Sequence, residues 1–83
     1  DILSTPESDL FNSIKTNSLL GIQKSITAGA SIDSRNEWNS TPLMLAVQFG
    51  SVELIKELLR FKANPNLLNY KNESALKIAF KKN

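Results

Sequence analysis

The groups that could do chemistry in this 83-residue chain are lysines, carboxylates, hydroxyls and a few aromatics, because it contains neither His nor Cys. Without those two residues there is no imidazole base, thiolate nucleophile, zinc finger or disulfide. The eight acidic residues are scattered rather than paired for acid–base work, and Asp9 and Asp33 read as helix-start and turn residues. Gly21, Gly29 and Gly50 lie too far apart for a phosphate-cradling loop. Ser and Lys are abundant, but no Ser-x-x-Lys dyad stands in a supporting context. No enzymatic activity, metal or cofactor is therefore expected. What remains is contact chemistry. Trp38 and Tyr70 are the only residues of their types, and Lys71, Lys77, Lys81 and Lys82 cluster near the end. A net charge of +2 is too near balance to predict nucleic-acid binding.

The elements that must position these residues come from an internal repeat. Shifting the sequence by 33 residues places Leu10 on Leu43 and Leu76, Ser8 on Thr41 and Ser74, and Ile14 on Val47 and Phe80. Leu19, Ile22 and Ile26 fall on Val52, Ile55 and Leu59, a three-and-four spacing that marks one helix face. Asn36 and Asn39 recur as Asn69 and Asn72. Each unit reads as helix, short turn, helix, extended turn.

The middle unit is written most clearly. Thr41 is an N-cap and Pro42 occupies the first helical position, where a missing N–H costs nothing. Gly50 ends that helix in the left-handed conformation. The second helix, Val52 to Phe61, is expected to turn Val52, Ile55, Leu58 and Leu59 inward. Glu53, Lys56, Glu57 and Arg60 are expected outward, with Glu53–Lys56 and Glu57–Arg60 as i,i+3 pairs. Ala63-Asn64-Pro65-Asn66 cannot remain helical, since Pro disfavours the helical region for its predecessor.

Thr41-Pro42-Leu43-Met44-Leu45-Ala46, Gly50, Leu58-Leu59 and Ala63-Asn64-Pro65-Asn66, at a period of 33, resemble the ankyrin repeat. The resemblance implies an all-α solenoid of stacked helix-turn-helix units with short hairpin-like connecting fingers. Its units would be a capping-like repeat at about 5–34, a second repeat at 35–66 and a partial third at 67–83. Thr5-Pro6-Glu7-Ser8 offers the first helix a start one turn earlier than the alignment requires. The third unit ends at Asn83, which aligns with Gly50, and so has an inner helix alone. Leu76, Ala79 and Phe80 are then covered on one side; the fragment is either cut inside a longer array or closed by a polar-backed cap over 75–82.

Departures from the family pattern carry their own expectations. Met44 stands where the family has His, which removes that residue's hydrogen bond to the capping Thr41. Lys62 replaces the glycine that Gly29 retains, and a left-handed backbone there costs roughly 1 kcal/mol relative to glycine. Asn39 and Asn72 stand at finger positions that favour glycine, with Asn the next best. Gly21 and Ser25 weaken the first outer helix where the second unit has Leu54 and Leu58.

The resemblance also implies a function, a protein-interaction module that binds a partner protein or peptide through its concave face. On that face the second unit would place Arg35, Glu37, Trp38, Ser40, Met44, Gln48 and Phe49. The third would place Leu68, Tyr70, Lys71, Glu73, Lys77, Lys81 and Lys82. Exposed aromatics are common binding anchors. Trp38 and Tyr70 can equally fill space between neighbouring fingers, Phe49 can lie over Met44 or Trp38, and Phe61 reads as a contact between units. The lysines are solvated or form a basic patch opposite Glu37 and Glu73. Two alternatives stay open: a structural or regulatory segment packing on its own longer chain, and an anion contact through the C-terminal lysines, with nucleic acid disfavoured.

No apolar run reaches the length of about 18 residues that spans a membrane, so no membrane partner is expected. The N-terminus shows neither an initiator Met nor a signal-peptide pattern. The chain is accordingly read as a segment of a longer soluble protein, and the lack of Cys points to a reducing, intracellular compartment, cytoplasmic or nuclear.

Overall fold

A computed structural model describes residues 5–82; the first residues, Asp1 to Ser4, and Asn83 lie outside it, including the alignment of Asn83 with Gly50. Five helices follow one another: α1 (Pro6–Lys15), α2 (Leu19–Thr27), α3 (Pro42–Phe49), α4 (Val52–Arg60) and α5 (Ala75–Lys82). No strand occurs among the described residues. Helices α1, α3 and α5 form an inner layer, with α2 on α1 and α4 on α3 as the outer layer. The result is a short two-layer stack with principal extents of 37 × 24 × 20 Å.

Hydroxyl caps start the helices. Thr5 Oγ1 accepts from Ser8 N at 3.0 Å, so α1 does begin one turn ahead of the alignment. Ser18 accepts from Gly21 N, Ser51 from Leu54 N and Ser74 from Lys77 N. At α3 the Met44 amide donates to Thr41 Oγ1, and the Met44 sulfur accepts from the Thr41 amide at 3.5 Å. The cap thus keeps a reciprocal partner, a thioether in place of imidazole. Sulfur is a weak acceptor, but this pair is buried and no water competes for the amide.

Four turns close the same way. A residue at positive φ is followed by an amide that bonds back five residues: Ser18 to Ser13, Ala30 to Ser25, Ser51 to Ala46 and Ala63 to Leu58. The left-handed positions are Asn17, Gly29, Gly50 and Lys62, with φ of 57°, 109°, 75° and 67°. Asn17 is the one that the sequence reading did not single out, although it aligns with Gly50.

The core runs through both layers: Leu10, Ile14, Ile22, Leu43, Met44, Ala46, Leu54, Leu58 and Ile78 are buried. Truncating one of the larger of them to Ala costs about 2–5 kcal/mol. Helix α4 corrects the expected orientation. Leu54, Glu57 and Leu58 are the buried residues, while Val52 and Leu59 are 56% and 47% exposed. The reason is that α4 has two apolar faces. Leu54 and Leu58 are its buried face, whereas Ile55 and Leu59 point along the stack, toward a second groove between α3, α4 and α5. The matching residues of α2 are better covered, Ile22 being buried and Ile26 half-buried, because α4 packs beside α2. Glu57 is buried because Gln23 Nε2 and Arg60 Nη1 satisfy it at 2.8 and 2.9 Å.

Gly21 also changes meaning. A Cβ built there would lie 2.3 Å from Ser13 Oγ and 2.9 Å from Ser13 Cβ. Bare backbone lets α2 approach α1, and Ser25, buried beside it, returns its hydroxyl to the Gly21 carbonyl at 2.8 Å. The small residues serve close packing rather than marking a weak helix.

Candidate functional site

The two fingers are built by one repeated device. Asn36 Oδ1 accepts from the amides of Trp38 and Ser40, and its own amide donates to the Ser40 carbonyl. Asn69 Oδ1 accepts from Lys71 and Glu73, and its amide donates to the Glu73 carbonyl. Asn39 and Asn72 complete the turns at φ of 61° and 60°, the left-handed region that Asn tolerates best after Gly. This fixed backbone holds Glu37 and Trp38 at one tip and Tyr70 and Lys71 at the next.

Fingers and inner helices enclose a groove of about 510 Å³. Of the residues expected on the concave face, Glu37, Trp38, Ser40, Gln48, Tyr70, Lys71 and Glu73 line it. Trp38 and Tyr70 are 57% and 62% exposed, so neither is consumed as filler between fingers. The groove also draws Phe11, Asn12 and Lys15 from α1 and Leu45 from α3. Those α1 residues were missed, although the 33-residue shift that maps Lys15 onto Gln48 could have found them.

Other expected contact residues lie elsewhere. Met44 is 1% exposed and therefore unavailable to any partner; its cap with Thr41 buries it. Arg35 is a stitch between fingers, donating to the carbonyls of Asn39 at 3.0 Å and Leu68 at 2.6 Å. Phe49 and Leu68 are exposed but do not line the groove, nor does Lys77. Phe61 is half-buried against the core.

The four lysines do not form one patch. Lys71 lies over the Tyr70 ring, 5.6 Å from its centroid. Lys81 pairs with Glu73 at 2.5 Å, and Lys82 caps the Gln48 carbonyl at 2.5 Å. The bonds from Lys81 and then Asn69 hold the Glu73 carboxyl below the usual carboxylate range, against a smaller opposing effect of burial. Lys77 remains exposed. Among the described residues no group of three or more acidic side chains is placed to hold a metal ion, and none of the helices is long and apolar enough to cross a membrane.

Stacked helix pairs with projecting fingers and a concave groove define a helical-repeat scaffold. Residues 10–83 match the family model for ankyrin repeats in three copies, and the chain belongs to the ankyrin repeat family. Ankyrin repeats are generally protein–protein interaction modules, and the family is generally non-catalytic. The chain is 39% identical over 51 residues to an ankyrin repeat protein of Acanthamoeba polyphaga mimivirus, covering 61% of this chain and 32% of that protein. It is 43% identical over 61 residues to ankyrin repeat and SOCS box protein 11 of Mus musculus, covering 74% and 19%. Rabankyrin-5 of Homo sapiens is 49% identical over 41 residues, covering 49% and 4%. The chain thus spans about a third or less of the length of these relatives.

Proposed function

We propose that this chain is a non-catalytic module that binds a partner protein or peptide through the concave groove. The observation that carries the reading is the pair Trp38 and Tyr70, held on successive fingertips, more than half exposed, and lining one groove. Rigid aromatics bury large areas on contact at little cost in side-chain entropy, which is why they dominate binding energy. A peptide-display library selected on the immobilised chain tests this. Selected peptides lose at least tenfold in affinity for Trp38→Ala with Tyr70→Ala, while the circular dichroism spectrum is unchanged. Equal binding to the folded double variant overturns the reading.

A second reading, a structural segment that packs on its own longer chain, is supported by a different surface. The groove between α3, α4 and α5, about 430 Å³, is lined by apolar residues including Val47, Ile55, Leu59 and Leu76. Leu76 and Phe80 on α5 are 64% and 70% exposed, so this helix has a polar side at Lys77 and Lys81 and an apolar one beside it. Exposed apolar surface of this kind marks contact sites or association. If that reading holds, Leu76→Lys with Phe80→Lys made in the longer chain quickens amide exchange over 75–82 and leaves Trp38-dependent binding intact.

A further inference from the structure

We infer that the concave groove selects an extended acidic segment, one whose apolar side chain sits among Phe11, Trp38 and Tyr70 and whose flanking carboxylates reach Lys15 and Lys71. The inference rests on the groove reading above and adds the chemistry of the occupant.

Its first support is the charge balance of the lining. Four charged side chains line the groove: Lys15, Glu37, Lys71 and Glu73. Glu73 is already neutralised, since it accepts from Lys81 Nζ and from Asn69 Nδ2. Neither Lys15 nor Lys71 is in an ion pair among the described residues, where the bridges are Arg60–Glu57 and Lys81–Glu73. With Lys81 paired to Glu73, the two ammonium groups of Lys15 and Lys71 stand against Glu37 with one positive charge in excess, and Lys71 also acts on Glu73 through space without a salt bridge. Lys15 lies on α1 and Lys71 on the second fingertip, so the positive charges come from different elements of the groove.

The second support is the aromatic complement. Phe11 is half-buried at the floor, and Trp38 and Tyr70 rise from the two fingertips. The Lys71 ammonium lies over the Tyr70 ring, which sets a cation beside an exposed aromatic at the second fingertip. A groove of about 510 Å³ lies within the size range of pockets that enclose a few side chains. An extended segment advances about 3.3–3.6 Å per residue and turns successive side chains to opposite sides. An alternating acidic–apolar sequence would therefore turn its apolar side chains to one side and its carboxylates to the other.

Three ten-residue probes of equal apolar content distinguish the outcomes, one with Glu and Asp between Leu and Phe, one with Gln and Asn, and one with Lys. Trp38, the only Trp, reports binding by its emission. The acidic probe binds more tightly than the neutral one, its advantage falls as salt rises from 50 to 500 mM, and Lys15→Glu or Lys71→Glu each reduces it by about two- to fivefold. The double reversal Lys15→Glu with Lys71→Glu transfers the preference to the lysine probe. Equal affinity for acidic and neutral probes overturns the charge selectivity and leaves the groove reading standing. Preference for the lysine probe by the unaltered chain also overturns it. Failure of every probe to bind, with display-selected peptides still sensitive to Trp38→Ala, rejects this occupant while retaining the groove; failure of both rejects the two together.

Discussion

Arg35 donates from Nη1 to the carbonyl of Leu68, 33 residues further on, at 2.6 Å. That separation is one repeat, and the same guanidinium nitrogen also reaches the Asn39 carbonyl of its own finger. The side chain ties one finger to the next. Similar bonds recur at nearly the same separation: Asn64 N to Asp33, Gln23 to Glu57, and Ser51 to Asn17. Replacing Arg35 by Ala removes two charge-assisted hydrogen bonds at an exposed site, a loss of about 1 kcal/mol. Thermal unfolding should show a midpoint lower by a few degrees, and amide exchange at 36–40 should quicken. Binding of groove peptides by the folded variant should stay within about twofold, since Arg35 does not line the groove.

Lys62 sits at φ 67°, where a Cβ is strained and glycine is not. Lys62→Gly should stabilise by roughly 1 kcal/mol, or about 4–8 °C in a domain of this size. Lys62→Asn should fall between. A midpoint unchanged or lowered in Lys62→Gly would mean that no strain is relieved at that turn.

Gly21→Ala sets two effects against each other. Alanine gains up to about 1 kcal/mol of helix propensity, but the new methyl would meet Ser13 Cβ at 2.9 Å, and overpacking costs about 1–3 kcal/mol. The net outcome is destabilisation, read as a lower unfolding midpoint. Adding Ser13→Gly to Gly21→Ala should recover part of it, and no recovery would place the cost elsewhere.

Glu73 gives a defined acid dependence. Its carboxyl is held below the ordinary range, so the folded state binds its proton less readily than the unfolded chain. The stabilisation is fully present above the unfolded carboxyl range, near pH 4–5, and is lost as pH falls through the lower folded value. In Glu73→Gln, stability should decline less steeply over that acid interval, measured by urea unfolding at several pH values. Lys81→Met should flatten the same interval, because Lys81 is the first cause of the shift.

Much of this architecture was legible because its signals are local. A hydroxyl before a helix, a glycine or asparagine at a left-handed position and an Asn bonding its own finger act within five residues, so sequence spacing states them directly. The period of 33 then gave the order of units, and Trp38 and Tyr70 at corresponding fingers. The sequence did not reveal which of the two apolar faces of α4 turns inward, that α1 supplies the groove floor, or that Glu57 could be buried.

The sequence by itself determined the repeat, the caps, the turns and the absence of imidazole and thiol chemistry. Only the tertiary structure decided which charges are spent inside the molecule. Arg35, Lys81 and Lys82 look like surface contacts in the sequence, yet each meets an acceptor on a separate element, whereas Lys15 and Lys71 line the groove and form no salt bridge among the described residues. Stacking brings residues one repeat apart to within hydrogen-bond distance, and that placement depends on how closely successive helix pairs approach, through the packing of α1 on α3, α3 on α5 and α2 on α4. Sequence spacing specifies the period; the packing distance decides which side chains are left for a partner.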